Sequence, residues 1–445
     1  MPRHLPAARR RPRSPNALLL GVVLAGALAA VLLVAGHPSA GVATAAITGT
    51  EVRDAGEVRS LPVEQAEAAA AEAAVAGPHA VAGGLAVPGS AAGAGPAGTA
   101  VPATGTARVD GSTTGATAAP GGGQVAAGGG PVLGVTVFAM WRDWDRADEL
   151  LDRAQQSGSP WLRVDMGWCS LEERGPGQVS AWYQDRLDAV VAGANRRGLQ
   201  LLMMVACTPA WAGGTAAGSY PTDPAQFQRV TRYLADRYRG RVPAWEIWNE
   251  PDCIGGCPNG SPSAFVPVLQ AGYRGIKAGD PGATVVSGGI SGNNADWIAR
   301  MYAAGAHGWF DALAVHPYLD PVTAAPDAAA EQRVYRMTSV AAVHAVMQRN
   351  GDGDVPIWFT EFGWTTASSG DRPGVDEATQ AGYLRQAVEL VAGRYPYVTH
   401  AFWFALRDRD DWTPYENEFG LLHVDGSEKP SYAALRAANA WLAAR

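Results

Sequence analysis

The chain has 445 residues and a formal net charge of −7, and its composition excludes an even division into domains. All 15 Trp, 13 Tyr and 9 Phe lie at or after Phe138, so the Ala-, Gly-, Pro- and Thr-rich start of the chain cannot bury enough apolar surface to offset its ordering entropy. Residues 131–445 are ample for one large core, and their net negative charge argues against a nucleic-acid backbone as ligand.

Residues 1–16 form a basic region, with five Arg between Arg3 and Arg13. Residues 17–35, Ala17 to Ala35, follow with no charged or polar side chain. A basic flank before such a run is the pattern of a secretory signal peptide, or of a transmembrane anchor that leaves its N-terminus in the cytoplasm. The run is long for a signal and just sufficient to span a bilayer. Ala43-Thr44-Ala45 offers a cleavage site, so cleaved and anchored forms both fit, and either places the C-terminal part outside. Residues 36–130 read as a disordered linker of short Ala, Gly, Pro and Thr combinations without apolar period, about 50 Å in root-mean-square span as a flexible coil.

After Pro131 the pattern alternates. Strands are expected at Val132–Ala139, Trp161–Asp165, Gln200–Ala206, Ala244–Asn249, Thr284–Ser287, Ala312–His316, Pro356–Thr360 and His400–Ala405. Amphipathic helices lie between them, among them Asp145–Gln156, Ala181–Arg197, Pro224–Arg239 and Asp376–Arg394, several starting after Asp, Ser or Pro. Strand–helix alternation implies a parallel sheet. Eight such units fit a single (β/α)₈ TIM barrel better than an open doubly wound sheet, and the first turn lacks a Gly-rich dinucleotide fingerprint. A barrel places its chemistry at the C-terminal ends of the strands.

Two strands end there on carboxylates. Strand four reads Trp245-Glu246-Ile247-Trp248-Asn249-Glu250-Pro251, and strand seven runs Ile357-Trp358-Phe359-Thr360-Glu361-Phe362-Gly363-Trp364. Two carboxyl groups opposed across a barrel mouth supply the parts of glycoside hydrolysis, one protonating the leaving oxygen and the other attacking the anomeric centre. A structural pairing of each Glu with an Arg is the plainer alternative, and the two occurring together speak against it.

These two motifs resemble those of the retaining glycoside hydrolases of clan A, built on (β/α)₈ barrels. The chain looks closest to family 39, with the cellulase-like family 5 as neighbour, and the likeness covers residues 131–445. Strand three ends Ala206-Cys207-Thr208-Pro209-Ala210-Trp211, where family 5 commonly presents a His; Thr-Pro-x-Trp looks more like family 39. The resemblance implies that Glu250 is the acid/base, Glu361 the nucleophile and Asn249 the partner of the sugar 2-hydroxyl. It also makes Trp403 the sugar platform.

Physical reasoning about the residues points the same way. Glu250 must hold a proton, so it needs apolar walls, for which Trp248 and Trp211 are candidates. Glu361 must stay ionised, and Arg163, beside Asp165, and Tyr318 are suitable donors. His316 shares a face with Tyr318, and reads equally as a core residue or a site residue. Glu246, on the same strand face as Glu250, is expected one layer deeper and paired with Arg163. Trp168, Trp211 and Trp364, with Trp141, Trp144 and Trp412, fall just after strands, where flat apolar faces suit sugar rings; part of them would simply cap the barrel.

All four Cys lie after residue 131, in keeping with an oxidising compartment. Cys253 and Cys257 flank a Gly-rich loop and Cys169 and Cys207 follow adjacent strands, so the expected disulfides are Cys253–Cys257 and Cys169–Cys207. No further Cys pair or His cluster completes a metal site, and no cofactor motif is present. The sequence lacks the Gly-x-Ser-x-Gly elbow and the Walker loop. The expected protein is a secreted or membrane-anchored enzyme, a monomer, that hydrolyses O-glycosyl bonds of an oligo- or polysaccharide and touches the membrane only through residues 17–35. A transglycosylase with the same site is one alternative; a catalytically silent carbohydrate-binding surface protein is the other.

Overall fold

The computed structural model describes residues 130–215, 218–252, 260–331, 335–368 and 372–445. Segments 1–16, 17–35 and most of 36–130 lie outside them, as does the expected pair Cys253–Cys257. Among the described residues no helix is long and apolar enough to cross a membrane.

Nine parallel strands form one curled sheet. They are β1 (Val132–Val137), β2 (Trp161–Gly167), β3 (Gln200–Ala206), β4 (Ala244–Ile247), β5 (Thr284–Val286), β6 (Ile290–Ser291), β7 (Leu313–His316), β8 (Ile357–Phe362) and β9 (Val398–Trp403). Their order is β5-β4-β3-β2-β1-β9-β8-β7-β6, so the first strand pairs with the last. The ends approach through bridges from Val286 to Ala312 and from Asn249 to Gly289. β5 and β6 are thus two pieces of one position, interrupted at Ser287-Gly288-Gly289, which explains nine strands where eight were expected. A Cβ on Gly289 would stand 2.1 Å from His316 Nε2, so the break brings bare backbone against the imidazole. The result is a TIM-barrel-like α/β fold.

Helices cover the outside because their apolar faces match the sheet. Ala147–Gln156, Ala181–Arg196, Pro224–Arg237 and Glu377–Arg394 lie within two residues of their expected limits. Their starts are capped as the sequence suggests: Ser180, Asp223 and Asp376 accept from backbone N–H groups of the first turn. The main core lies between sheet and helices. A second, smaller cluster of Leu202, Ala244, Val286, Ala312, Ala314, Trp358 and Phe402 fills the inside of the sheet. Its floor is a stack in which His400 lies 3.8 Å from Trp358, and burial pushes this imidazole down to a pKa of about 3.

Above that floor the interior is ionic. Arg163 on β2 is fully buried, donating from Nε to Glu246 Oε2 at 2.6 Å and from Nη1 to Asp165 Oδ1 at 3.0 Å and Glu361 Oε1 at 2.9 Å. Strands β2, β4 and β8 are thereby tied through one side chain. Outside this cluster, Cys169 and Cys207 form a disulfide between the segments after β2 and β3, beside a backbone bond from Cys169 N to Cys207 O.

Two stability outcomes follow. Arg163→Met leaves buried carboxylates without their cation and lowers unfolding free energy by about 3–5 kcal/mol, read from urea midpoints with the slope unchanged. The disulfide closes 38 residues, and a Cys169→Ala/Cys207→Ala double variant loses about 2–4 kcal/mol by the same measurement.

Candidate active site

The site is built where two strands, β4 and β8, depart from regular geometry. In β4, Trp245 packs toward Tyr238 on the helix side, while Glu246 points inward to Arg163. Strict alternation would turn Trp248 inward as well. Instead Trp248 adopts φ 74°, and its ring packs on Tyr220 and Phe227, in the helix layer. Asn249 then faces the interior, its Oδ1 accepting from Arg163 Nη2 at 2.8 Å, and Glu250 follows with φ 41°. Left-handed backbone at two non-glycine residues is costly, and it re-aims the end of the strand. Trp248 is therefore not the expected wall of Glu250.

In β8 the register shifts between Phe359 and Phe362. Thr360 lies 3.1 Å from His316 Nε2 and Glu361 receives Arg163, so two consecutive side chains face inward. A bulge of this kind is how a strand adds a residue to one face.

The assembled group is compact. Oxygens of Glu250 and Glu361 and a ring nitrogen of His316 all lie within 4.8 Å of one another, and both carboxyl groups are about 5% exposed. His316 Nδ1 is 3.1 Å from Glu250 Oε1 and 3.6 Å from Glu361 Oε2. Tyr318 Oη donates to Glu361 Oε2 at 3.0 Å, so Arg163 and Tyr318 together serve both of its oxygens. Burial works against the imidazolium of His316, but the carboxylates of Glu361 and Glu250 outweigh it and its pKa is raised. Asp165 is pushed up to about 6 by burial, which the attraction of Arg163 only partly offsets. Tyr318 is held well above the usual phenol range by burial and then by Glu361. The three grouped residues have the spacing of a cation site, but the Arg163 guanidinium already bonds Glu361 Oε1 and puts a positive charge where a cation would bind.

The aromatic residues are sorted differently from the expectation. Trp403 is fully buried, donates to Phe419 O and packs on Phe362 and Trp364. It faces the helix layer because Phe402 faces inward, and neighbours on a strand alternate. Phe404 is the ring that meets Tyr318, with centroids 6.4 Å apart, and it stacks at 10° on Trp412. Alternation about Phe402 carried the signal for Phe404. Trp168 and Trp364 are also buried, with indole N–H groups bonded to Glu172 and to Ala324 O. Trp211 is partly buried against Trp168 and donates to Glu172 O. Glu172, which sequence reasoning passed over, also binds Arg229 through both oxygens and so organises that rim. Trp168, Trp364 and Trp403 are packing elements rather than open platforms.

The charged run after β9 is a latch. Arg407 pairs with Asp143, Arg142 binds Asp143 and Asp411, and Lys429 Nζ lies 2.7 Å from Asp408. Arg409 covers Trp412 at 3.3 Å. Loops after β1 and β9 are thereby joined behind the Phe404–Trp412 wall.

Residues 125–404, well over half of the chain, match the family Cellulase (glycosyl hydrolase family 5). The structure is similar to that of a family 39 glycoside hydrolase from the gut symbiont Bacteroides cellulosilyticus WH2, at 23% identity and TM-score 0.57, over 70% of this chain and 64% of that one. It is also similar to an exo-beta-1,4-mannosidase from Opitutaceae bacterium strain TAV5 (19%, TM-score 0.53, 71% and 60%). GH5_18 from Streptomyces cattleya, in complex with GlcNAc, is a third (18%, TM-score 0.56, 71% and 81%). The chain thus spans less than two thirds of the length of the first two, and likeness at such identities speaks for the fold. No curated protein matches the sequence. The motifs looked closest to family 39, with family 5 as neighbour; both appear among the structural likenesses, and the family match itself falls on family 5. The chain belongs to glycosyl hydrolase family 5.

Proposed function

We propose that the protein is a retaining glycoside hydrolase that cleaves O-glycosidic bonds of a β-linked oligo- or polysaccharide by double displacement. The observation that carries this reading is the approach of Glu250 and Glu361 oxygens to within 4.8 Å. Retaining enzymes hold their carboxyl groups about 5–5.5 Å apart, whereas inverting ones leave about 6.5–9.5 Å for a water.

The surroundings divide the roles. Glu361 receives a guanidinium and a phenol O–H, which hold its carboxyl in place as the nucleophile. It attacks the anomeric carbon and forms a glycosyl ester as the bond to the leaving oxygen breaks. Glu250, against His316, gives its proton to that oxygen, then takes one from the water that hydrolyses the ester. His316 sits between both carboxyl groups, and Asn249, fixed by Arg163, presents its amide toward the sugar. In this reading the barrel works outside the membrane, delivered or anchored by residues 17–35. The disulfide Cys169–Cys207 suits such a compartment.

A panel of aryl β-glycosides and polysaccharides tests the assignment. Phenyl glycosides need their leaving oxygen protonated; 2,4-dinitrophenyl glycosides do not. Glu250→Ala lowers kcat by about 10²–10⁴-fold on the former and spares the first step on the latter. Glu361→Ala abolishes turnover of both. Product NMR shows retention at the anomeric carbon; inversion would overturn the mechanism. An inactive parent with sugar binding unchanged in Glu361→Ala would point instead to a binding protein.

A further inference from the structure

We propose that Trp412 holds the sugar unit next to the reacting one, on the side away from the leaving group, so that the preferred substrate carries at least two units there, a reading that rests on the roles given to Glu250 and Glu361 above. In that reading the leaving oxygen lies at Glu250, which follows β4. In the order β5-β4-β3-β2-β1-β9-β8-β7-β6, with β5 and β6 sharing one position, β9 stands across the mouth from β4. A sugar whose leaving group sits at Glu250 therefore extends toward the ends of β9 and β1. On that side a series of rings leads outward from the nucleophile. Tyr318 Oη is bonded to Glu361, and the Phe404 ring lies 6.4 Å from that of Tyr318. Trp412 comes next, 6.3 Å from Phe404 and within 10° of parallel to it.

Trp412 differs from the other indoles that follow strands. Trp168, Trp211, Trp364 and Trp403 each give their N–H to a protein oxygen. The Trp412 N–H has no acceptor among the described residues. It is also not one of the buried groups left without a partner, so it opens to solvent, and the ring itself is partly exposed. The residue is nonetheless firmly held. The guanidinium of Arg409 covers one face of the ring at 3.3 Å and is itself bonded to Asp411. Phe138 meets the ring edge-on with centroids 5.6 Å apart. Asn417 Oδ1 accepts the backbone N–H of Trp412 at 2.8 Å, and Asn417 Nδ2 donates to its carbonyl at 3.3 Å.

A fixed ring with one face covered from behind and an open N–H suits a pyranose. The axial C–H groups of the sugar pack on a flat apolar face, and one of its hydroxyls accepts the N–H. Because the ring and its backbone are already ordered, little freedom is lost when a sugar settles there. The reacting unit lies at Glu361 and Tyr318, and Phe404 stands between these and Trp412, so Trp412 is reached by the following unit. Such a site favours cleavage within chains, or release of disaccharides, over removal of single terminal sugars.

The test compares kcat/KM of the full chain on two 2,4-dinitrophenyl β-glycosides, the monoside of the sugar that the wild type turns over best and the matching bioside. The leaving group is the same in both, so their ratio reports only the added unit. The wild type prefers the bioside, and in Trp412→Ala the bioside-to-monoside ratio falls about tenfold, the loss of one stacking contact and one hydrogen bond. Trp412→Phe, which keeps a ring without the N–H, recovers part of the ratio. If thermal melts show that the Ala variant does not fold, Trp412→Leu, which keeps apolar volume without a flat face, is read in the same way. A wild type without preference for the bioside, or an equal loss on both substrates in a folded variant, overturns the proposal and assigns Trp412 to structure alone. A wild type that turns over neither glycoside, or a Glu361→Ala variant that still turns over both, overturns the functional reading instead.

Discussion

The architecture of the site depends on one guanidinium inside a curled sheet. Arg163 has Glu246, Asp165 and Glu361 around it, together with Asn249 Oδ1. A lone buried charge of either sign is prohibitive, and a buried pair is tolerable only with good geometry and satisfied hydrogen bonds. Here one cation answers to more than one anion, and the imbalance shows in Asp165, whose pKa rises to about 6 despite touching Arg163. The planar fork of Arg can serve several acceptors in fixed directions, which a Lys ammonium cannot. The same contacts that join β2, β4 and β8 therefore hold Glu361 and Asn249 in place, so fold stability and site geometry are not separable at this residue.

Much of this was legible in the chain. The alternation of strands and helices named the barrel, and the two strand-end motifs named both carboxyl groups with Arg163, His316 and Tyr318 around them. Period-two reasoning also sent Glu246 to the layer below. It stopped working where the backbone leaves the regular strand. Nothing in Trp-Glu-Ile-Trp-Asn-Glu announces φ 74° at Trp248, because a left-handed residue there is stabilised by rings from other elements, Tyr220 and Phe227. Position five looked like one strand because a break at Ser287-Gly288-Gly289 depends on the close approach of His316, which is a tertiary fact.

The tryptophans show a different limit. Their number after strands suggested open stacking faces, yet Trp168, Trp364 and Trp403 are buried with their N–H groups engaged by protein. Composition reports that large rings gather at one end of the barrel but not which way they turn. For Trp403 the direction was available from its neighbours: Phe402 lies in the inner cluster, so the next inward ring is Phe404. For Trp168 it was not, since Glu172 and Arg229 come from segments that meet only in the fold.

The irregular backbone is what gives two similar residues unlike surroundings. On regular strands with the observed inward Trp358, Glu361 would face the helices, and Trp248 rather than its successors would occupy the mouth. The bulge in β8 and the left-handed residues after β4 cost conformational energy, and the packed core and the Arg163 cluster sustain it. In return, Glu361 comes to lie where a guanidinium and a phenol both reach it, while Glu250 lies at the imidazole. Two carboxyl groups within 4.8 Å thus meet different partners, and the departures from strand geometry are the physical source of that difference.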